Sequence, residues 1–277
     1  MSLSIRTNTA SLNAARNLSS NQIGLDSSLA KLSSGFRITK ASDDAAGLGV
    51  SANLTAQFRS YNQAARNAND GISLIQTAES ALNEVTNILT RMRELAMQAA
   101  SDGVTDTERA NFIQEENSEL RSELDRISAT TEYNNTTVFG AGAASFSFQV
   151  GIRNTTNDRI AVDTTAINVA AADLVTTNTN FGTRAVAELA IAEIDTAISS
   201  VSNFRADLGA KANRLNSALN TISQAAESVA AANSRIRDVD IALETAELSK
   251  SQILVQAGVS VLAQANQAPQ VALKLLG

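Results

Sequence analysis

Three stretches of this chain keep a seven-residue apolar repeat for longer than a compact globule needs, and that periodicity limits what it can fold into. In residues 68–99, Ile75, Leu82, Leu89 and Ala96 recur every seven positions, and Ala78, Val85, Met92 and Ala99 follow three residues behind. Two such seams let one helix lie along another over a long distance. A second run, Ala110, Ile113, Asn117, Leu120, Leu124 and Ile127, alternates spacings of three and four, with Asn117 as its polar exception. The third takes in Ala187, Ile191, Ile194, Ile198, Val201, Leu208, Ala212, Leu215, Leu219, Ile222, Ala226, Val229 and Ile236, with polar seam positions only at Arg205 and Asn233. It covers about fifty residues, or roughly 75 Å as a helix, against a mean of about 11–12 residues for globular helices. A rod is expected, not a ball.

Composition agrees. Hydrophobic residues make up 44% of the 277 but aromatics only 4%, tryptophan is missing, and the single proline is Pro269. Alanine, leucine, isoleucine and valine are the residues of helix–helix seams. Histidine and cysteine are both zero, which excludes histidine acid–base chemistry, thiol nucleophiles, zinc-finger sites, haem ligation and disulfides. No cofactor and no metal are expected. The net charge is −6, and the only basic excess, residues 1–40 with five basic and one acidic side chain, is too thin for a nucleic-acid arm. No apolar run approaches the roughly 18 residues that would span a bilayer, and the start, MSLSIRTNTASLNAARNL, does not have the pattern of a cleaved secretory signal.

Both ends continue the helical pattern. Ile5, Leu12, Leu18, Leu25, Leu29, Leu32 and Phe36 lie near the start; Val239, Leu243, Ile253, Ala257, Val261 and Ala265, then Val271 and Leu275, lie near the finish. Pro269 is expected to kink the last helix or open its final turn. Burying the large apolar residues of 1–36 against one partner strip falls short of the cost of ordering that backbone, so both ends are expected to fold only when many copies pack together. Between 130 and 183 the helical pattern stops. Phe146, Phe148, Val150, Ile152 and later Ile160 and Val162 alternate with period two around an Asn-Thr-Thr-Asn-Asp turn, which predicts a small, exposed β-hairpin.

Some local motifs have plain structural readings. Ser42, Asp43 and Asp44 precede a helical run and are expected to cap it rather than bind metal. Gly35 and Gly47-Leu48-Gly49 fit neither phosphate-loop pattern, and are expected to supply flexibility or close packing. The acidic run Glu115, Glu116, Glu119, Glu123 and Asp125 suits a solvated helix face. With only Lys250 and Lys274 as cations, the last helix is a poor membrane-surface helix and a better partner for another helix.

LSSGFRITKASDDAAGLGVSANL (32–54), ARNANDGISLIQTAESALNEVTNILTRMRELAMQAASDG (65–103) and QILVQAGVSVLAQANQAPQVALKLL (252–276) together resemble the signature ends of bacterial flagellins. The likeness covers about 1–139 and 184–277. It departs at Val255, where many relatives carry glutamine, and in its short insert. It implies a secreted, non-enzymatic subunit of the extracellular flagellar filament, exported through the flagellar type III apparatus, with a hook–filament junction protein as the alternative. The implied fold is mainly α: an elongated bundle of long heptad-patterned helices with one small β-hairpin insert. The terminal helices would pair as a coiled coil in the filament. Segments 1–42 and 239–277 would form an inner tube, 43–139 and 184–238 the outer helical domain, and 140–183 an exposed insert. Implied partners are copies of the chain itself along Ile5, Leu12, Leu18, Leu25, Leu29, Leu32, Phe36, Leu243, Ile253, Ala257 and Val261, the flagellar cap and hook-junction proteins, and an export chaperone at the C-terminal helix. In flagellins of the immune-stimulating type a patch is read by the vertebrate flagellin-sensing Toll-like receptor, and Arg91, Leu95 and Glu116 match it here. The Ser/Thr/Asn-rich insert suits O-glycosylation and a plain polar hairpin equally.

Overall fold

The computed structural model describes residues 7–140, 143–165, 168–175 and 181–274, with side chains described as far as residue 267. Its elements are α1 (Thr9–Ser34), α2 (Ala45–Ala99), a single turn α3 (Asp106–Glu108), a π turn (Arg109–Ile113), α4 (Gln114–Thr130), β1 (Glu132–Tyr133), β2 (Thr136–Thr137), β3 (Ser145–Gln149), a 3-10 turn (Thr156–Asp158), β4 (Arg159–Asp163), α5 (Ala171–Leu174), α6 (Arg184–Arg237) and α7 (Ile241–Lys274). The helix runs through Pro269 to Lys274; Leu275 lies outside the described residues. The chain divides into two compact units, Met1–Phe58 with Ser228–Gly277, and Arg59–Glu227. These divisions fall inside α2 and α6.

The Arg59–Glu227 unit is built on its heptads. All eight seam residues read from 68–99 are buried, from Ile75 to Ala99, and Ala64, Ala68, Leu74, Ile88 and Leu95 widen the stripe. On α6 the seven-residue series Ala187, Ile194, Val201, Leu208, Leu215 and Ile222 is buried too. The companion seam of α6 differs from the sequence reading at its N-terminal end. Ala190, Ala197 and Phe204 are buried, while Ile191, Ile198 and Arg205 are half-buried one position later. Small Ala190 and Ala197 let α6 approach its neighbours closely, and Phe204 meets Phe139 edge-on with ring centroids 6.4 Å apart. Arg205 turns to the rim and pairs with Glu79 at 3.5 Å.

The run beginning at Ala110 also shifts. Ala110 is exposed and Arg109 is buried instead, because the π turn adds a residue to the helical turn. The Arg109 guanidinium reaches back to the frayed end of α2, with Nε donating to the Ala99 carbonyl at 2.6 Å and Nη2 to the Ser101 carbonyl at 2.6 Å. Its charge is balanced by Asp106 at 2.6 Å. It thus satisfies the last carbonyl of α2, which has no helical partner, and ties down the turn that follows. A capping box at Thr105 and Glu108 starts the turn before it.

The insert is less exposed than its sequence predicts. β3 and β4 pair antiparallel, Phe146 opposite Val162 and Phe148 opposite Ile160. One face, with Val150, Ile160 and Val162, is buried in the same core as the long helices, together with Val169, Val175 and Phe181 beyond it. Gly71 on α2 makes room for this: a Cβ there would meet Leu215 Cδ1 at 3.0 Å and Phe148 Cδ2 at 3.1 Å. A second hairpin, β1–β2, has no counterpart in the sequence reading. Its central Asn134 and Asn135 have φ of 49° and 62°, the left-handed pair of a type I′ turn.

Truncating a seam residue should cost far more than truncating a displayed one. Leu82→Ala or Leu208→Ala is expected to lower the unfolding free energy by about 2–5 kcal/mol, against about 0.5 kcal/mol or less for exposed Leu189→Ala. Urea titration followed by far-ultraviolet circular dichroism measures both.

Candidate functional site

The terminal helices α1 and α7 pack side by side within the Met1–Phe58 and Ser228–Gly277 unit. Their seam uses small residues. On α7 the inward positions Glu244, Leu248, Ser251, Val255, Gly258, Leu262 and Ala265 repeat at spacings of four and three, the coiled-coil period. Gly24 of α1 faces Ser251, Gly258 faces Leu18, and Ser28 and Ser251 are themselves buried. At one end Asn8 caps α1, accepting from the Ser11 amide at 3.0 Å, and its Nδ2 donates to the Ala265 carbonyl at 2.8 Å. Near the other, Lys31 lies 3.9 Å from Glu244.

Small residues make the closest approaches of this seam, among half-buried Leu18, Leu25, Leu248, Val255 and Leu262, and many of the other large apolar side chains point away from it. Leu12, Ile23 and Leu29 on α1 are exposed, as are Ile241, Leu243, Ile253, Leu254, Val259 and Val261 on α7, with Leu243 at 73% and Ile253 at 65%. A groove of about 420 Å³ runs across the pair, walled by Leu18, Ile23, Val255, Val259 and Leu262. The residues expected on the polymerisation seams therefore separate. Leu18, Leu25 and Leu32 are half-buried on α1, while Leu12, Leu29, Leu243, Ile253, Ala257 and Val261 are exposed. Ile5 lies outside the described residues. The small residues of the seam escaped the sequence reading because glycine and serine carry no apolar signal; the seven-residue spacing of Leu248, Val255 and Leu262 was the available clue.

Phe36 lies in an intramolecular joint. Gly35 ends α1 in the left-handed conformation, φ 74°, with its amide on the Lys31 carbonyl. Phe36 then bridges to Asp238, and the Arg237 guanidinium lies 4.1 Å from the centre of its ring, a cation–π contact. The Arg37 amide donates to the Arg237 carbonyl at 2.6 Å and its guanidinium to the Ile236 carbonyl at 2.6 Å, closing the end of α6.

Of the three residues expected to cap α2, Asp44 occupies the cap position and its Oδ1 accepts from the Gly47 amide at 2.9 Å. Asp43 turns back instead and accepts at 3.0 Å from the amides of Thr39 and Lys40 and from the Thr39 hydroxyl. Ser42 is exposed in the turn just before them. Gly47 is glycine for room, since a Cβ would crowd Asp44 and lie 2.9 Å from Ile38 Cδ1.

The expected receptor patch is brought together only in part. Arg91 Nε donates to Glu116 at 2.8 Å and Nη1 to Glu94 at 2.9 Å, all three on the surface. Leu95 is 2% exposed and packed in the core. It supports the surface from beneath and is no surface anchor; the seam position that makes it apolar also hides it.

Comparison with known proteins assigns the family. The bacterial flagellin N-terminal helical region matches residues 5–143 and the C-terminal helical region residues 191–276. The chain is 43% identical over 276 residues to a flagellin of Halalkalibacterium halodurans, covering 98% of this chain and 99% of the relative. It is 41% identical over 303 residues to a flagellin of Bacillus subtilis, with the same coverage. The crystal structure of Bacillus cereus flagellin superposes with a TM-score of 0.50 at 31% identity, over 57% of this chain and 88% of that one. The chain belongs to the bacterial flagellin family. It is a structural subunit of the extracellular flagellar filament, and nothing in these likenesses favours a hook–filament junction protein. Among the described residues no helix is long and apolar enough to cross a membrane.

The surface ion pairs make a pH prediction. Asp195 is held below the ordinary carboxylate value chiefly by the hydrogen bond from Arg93, Glu123 by that from Arg126, and Asp43 by the Lys40 and Thr39 amides. A carboxylate depressed on folding contributes stability above its unfolded value, 3.8 for aspartate, and loses it as pH falls through the folded value. Unfolding midpoints should therefore drop below about pH 4, and Asp195→Asn should flatten that acid limb in thermal melts taken across pH 2–6.

Proposed function

We propose that copies of this chain polymerise through the outward apolar faces of α1 and α7, which the chain's own small-residue seam leaves uncovered. The observation that carries this is the exposure of Leu12, Leu29, Leu243, Ile253 and Val261 on a pair whose facing positions are taken by other residues. An apolar area of this kind marks an interaction surface. A surface of one copy that meets a different surface of the next gives an open polymer. Because part of the burial comes only from neighbours, the pair orders fully on assembly. In this reading 1–42 and 239–277 are the inner tube, and the helical segments 43–139 and 184–238 with the insert 140–183 are the outer one.

The same faces explain the other partners. An export chaperone would cover the outer face of α7 before secretion through the type III apparatus, and the cap and hook-junction proteins would meet the filament ends. No catalytic role is proposed. Receptor recognition is proposed for Arg91 and Glu116, whose ion pair presents a fixed polar surface, with Leu95 acting only as the packing beneath it.

Two experiments test these readings. A chain ending at Glu244 is expected to remain monomeric under conditions in which the full chain elongates; normal filaments from it in electron micrographs overturn the assembly model. Arg91→Ala with Glu116→Ala is expected to lower reporter-cell activation by monomer at least about ten-fold, and unchanged activation overturns the receptor reading.

A further inference from the structure

Phe112 is the feature of the Arg59–Glu227 unit that its own fold does not use. It is 71% exposed, yet it sits on a rigid mount: the π turn that rotates Arg109 inward, to the Ala99 and Ser101 carbonyls, turns Phe112 out. Single exposed apolar residues are ordinary; a phenylalanine held outward by a buried, ion-paired arginine is less so. The same unit carries a groove of about 510 Å³ beside the tip of the β3–β4 hairpin, walled by Tyr61, Val150, Ile152, Ile222 and Ala225. The two features lie far apart. Arg91 and Glu116 place the π turn beside residues 91–99 of α2, whereas the groove lies beside Tyr61, thirty-odd residues earlier on the same helix, or about 50 Å at the helical rise. Phe112 therefore cannot reach the groove of its own chain.

We infer that Phe112 of one copy seats in the hairpin groove of the next copy, a head-to-tail contact that rests on the filament reading above and gives it a named interlock. Charge favours this pairing. Around Phe112 the exposed charges are acidic, with Glu108, Glu115 and Glu119. The groove end carries more basic than acidic groups: Arg153 is part of its wall, Arg59 and Arg66 lie on the adjoining turns of α2, and Arg159 is on β4, against Asp158 on the hairpin tip, Glu227 just past Ala225 on α6 and Asp70 one turn beyond Arg66. Asp158 is engaged locally, accepting from the Thr155 hydroxyl at 2.7 Å. A projection and a recess of opposite charge at separate places on one copy make a heterologous contact, which repeats without closing.

The absence of cysteine makes the test clean. Asn111→Cys and Asn157→Cys chains, mixed, polymerised and treated with a short bis-maleimide, should yield cross-linked pairs, whereas filaments of Asn111→Cys alone should not. Phe112→Ala should raise the critical concentration for elongation about ten-fold, and Phe112→Leu should restore most of it, with monomer helicity unchanged in both. The cross-link decides: mixed filaments without it overturn the contact, whatever Phe112→Ala does. Failure of the unsubstituted chain to elongate would instead overturn the filament reading.

Discussion

A helix in water needs its apolar stripe covered, and this chain supplies cover unevenly. In the Arg59–Glu227 unit the stripes of α2, α4 and α6 face one another and the β3–β4 hairpin, so the seam residues disappear from solvent. In the terminal pair the chain covers only one narrow strip of each helix, where Gly24, Ser28, Ser251 and Gly258 lie among half-buried Leu18, Leu25, Leu248, Val255 and Leu262. Small residues bring two helices close but bury little apolar area each. The large side chains that lie outside that strip create a demand that other copies of the chain must meet. The assembly role follows from this division of labour between small and large residues.

The joint at the end of α1 follows from the same demand. A pair of helices with an incomplete core cannot rely on packing to fix its connection to the rest of its unit, and polar contacts do so instead. Gly35 stops α1, the Phe36 ring lies under the Arg237 guanidinium, and Arg37 closes the carbonyl end of α6. Asp43 and Asp44 then divide two tasks, one holding the loop and the other starting α2. Ser51 adds a part-buried hydrogen bond of 2.7 Å to Asn233 across α2 and α6, and polar contacts of this kind between helices set register more than they add stability.

What the sequence made legible was the large-residue periodicity. The heptads of 68–99 and of Ala187 to Ile222 are in the core, and the period-two run marks β3 and β4. What it hid depended on residues that are quiet on a hydropathy pattern. The companion seam of α6 uses Ala190 and Ala197, weaker signals than neighbouring Ile191 and Ile198. The π turn moves the inward position from Ala110 to Arg109, and no periodic rule anticipates an inserted residue. The β1–β2 hairpin rests on two asparagines at positive φ. Leu95 shows the converse: the motif it matches places it on the surface, while Ile88 and Met92, buried on the same stripe of α2, argue for the core.

The insert also changes meaning once its burial is known. A hairpin that only decorated the surface would be free to vary without consequence for the helices. Here Val150, Ile160 and Val162 share a core with Leu74, Leu208 and Leu215, and Gly71 is kept without a side chain so that Phe148 fits. The residues that face solvent on the strands, Ser145, Ser147, Arg159, Ala161 and Asp163, are the ones left to vary. A change that swells the buried face has to move α2 or α6 to be accommodated, because well-packed cores yield little to added volume. The hairpin is thus a third layer of the helical unit whose outer face happens to be polar.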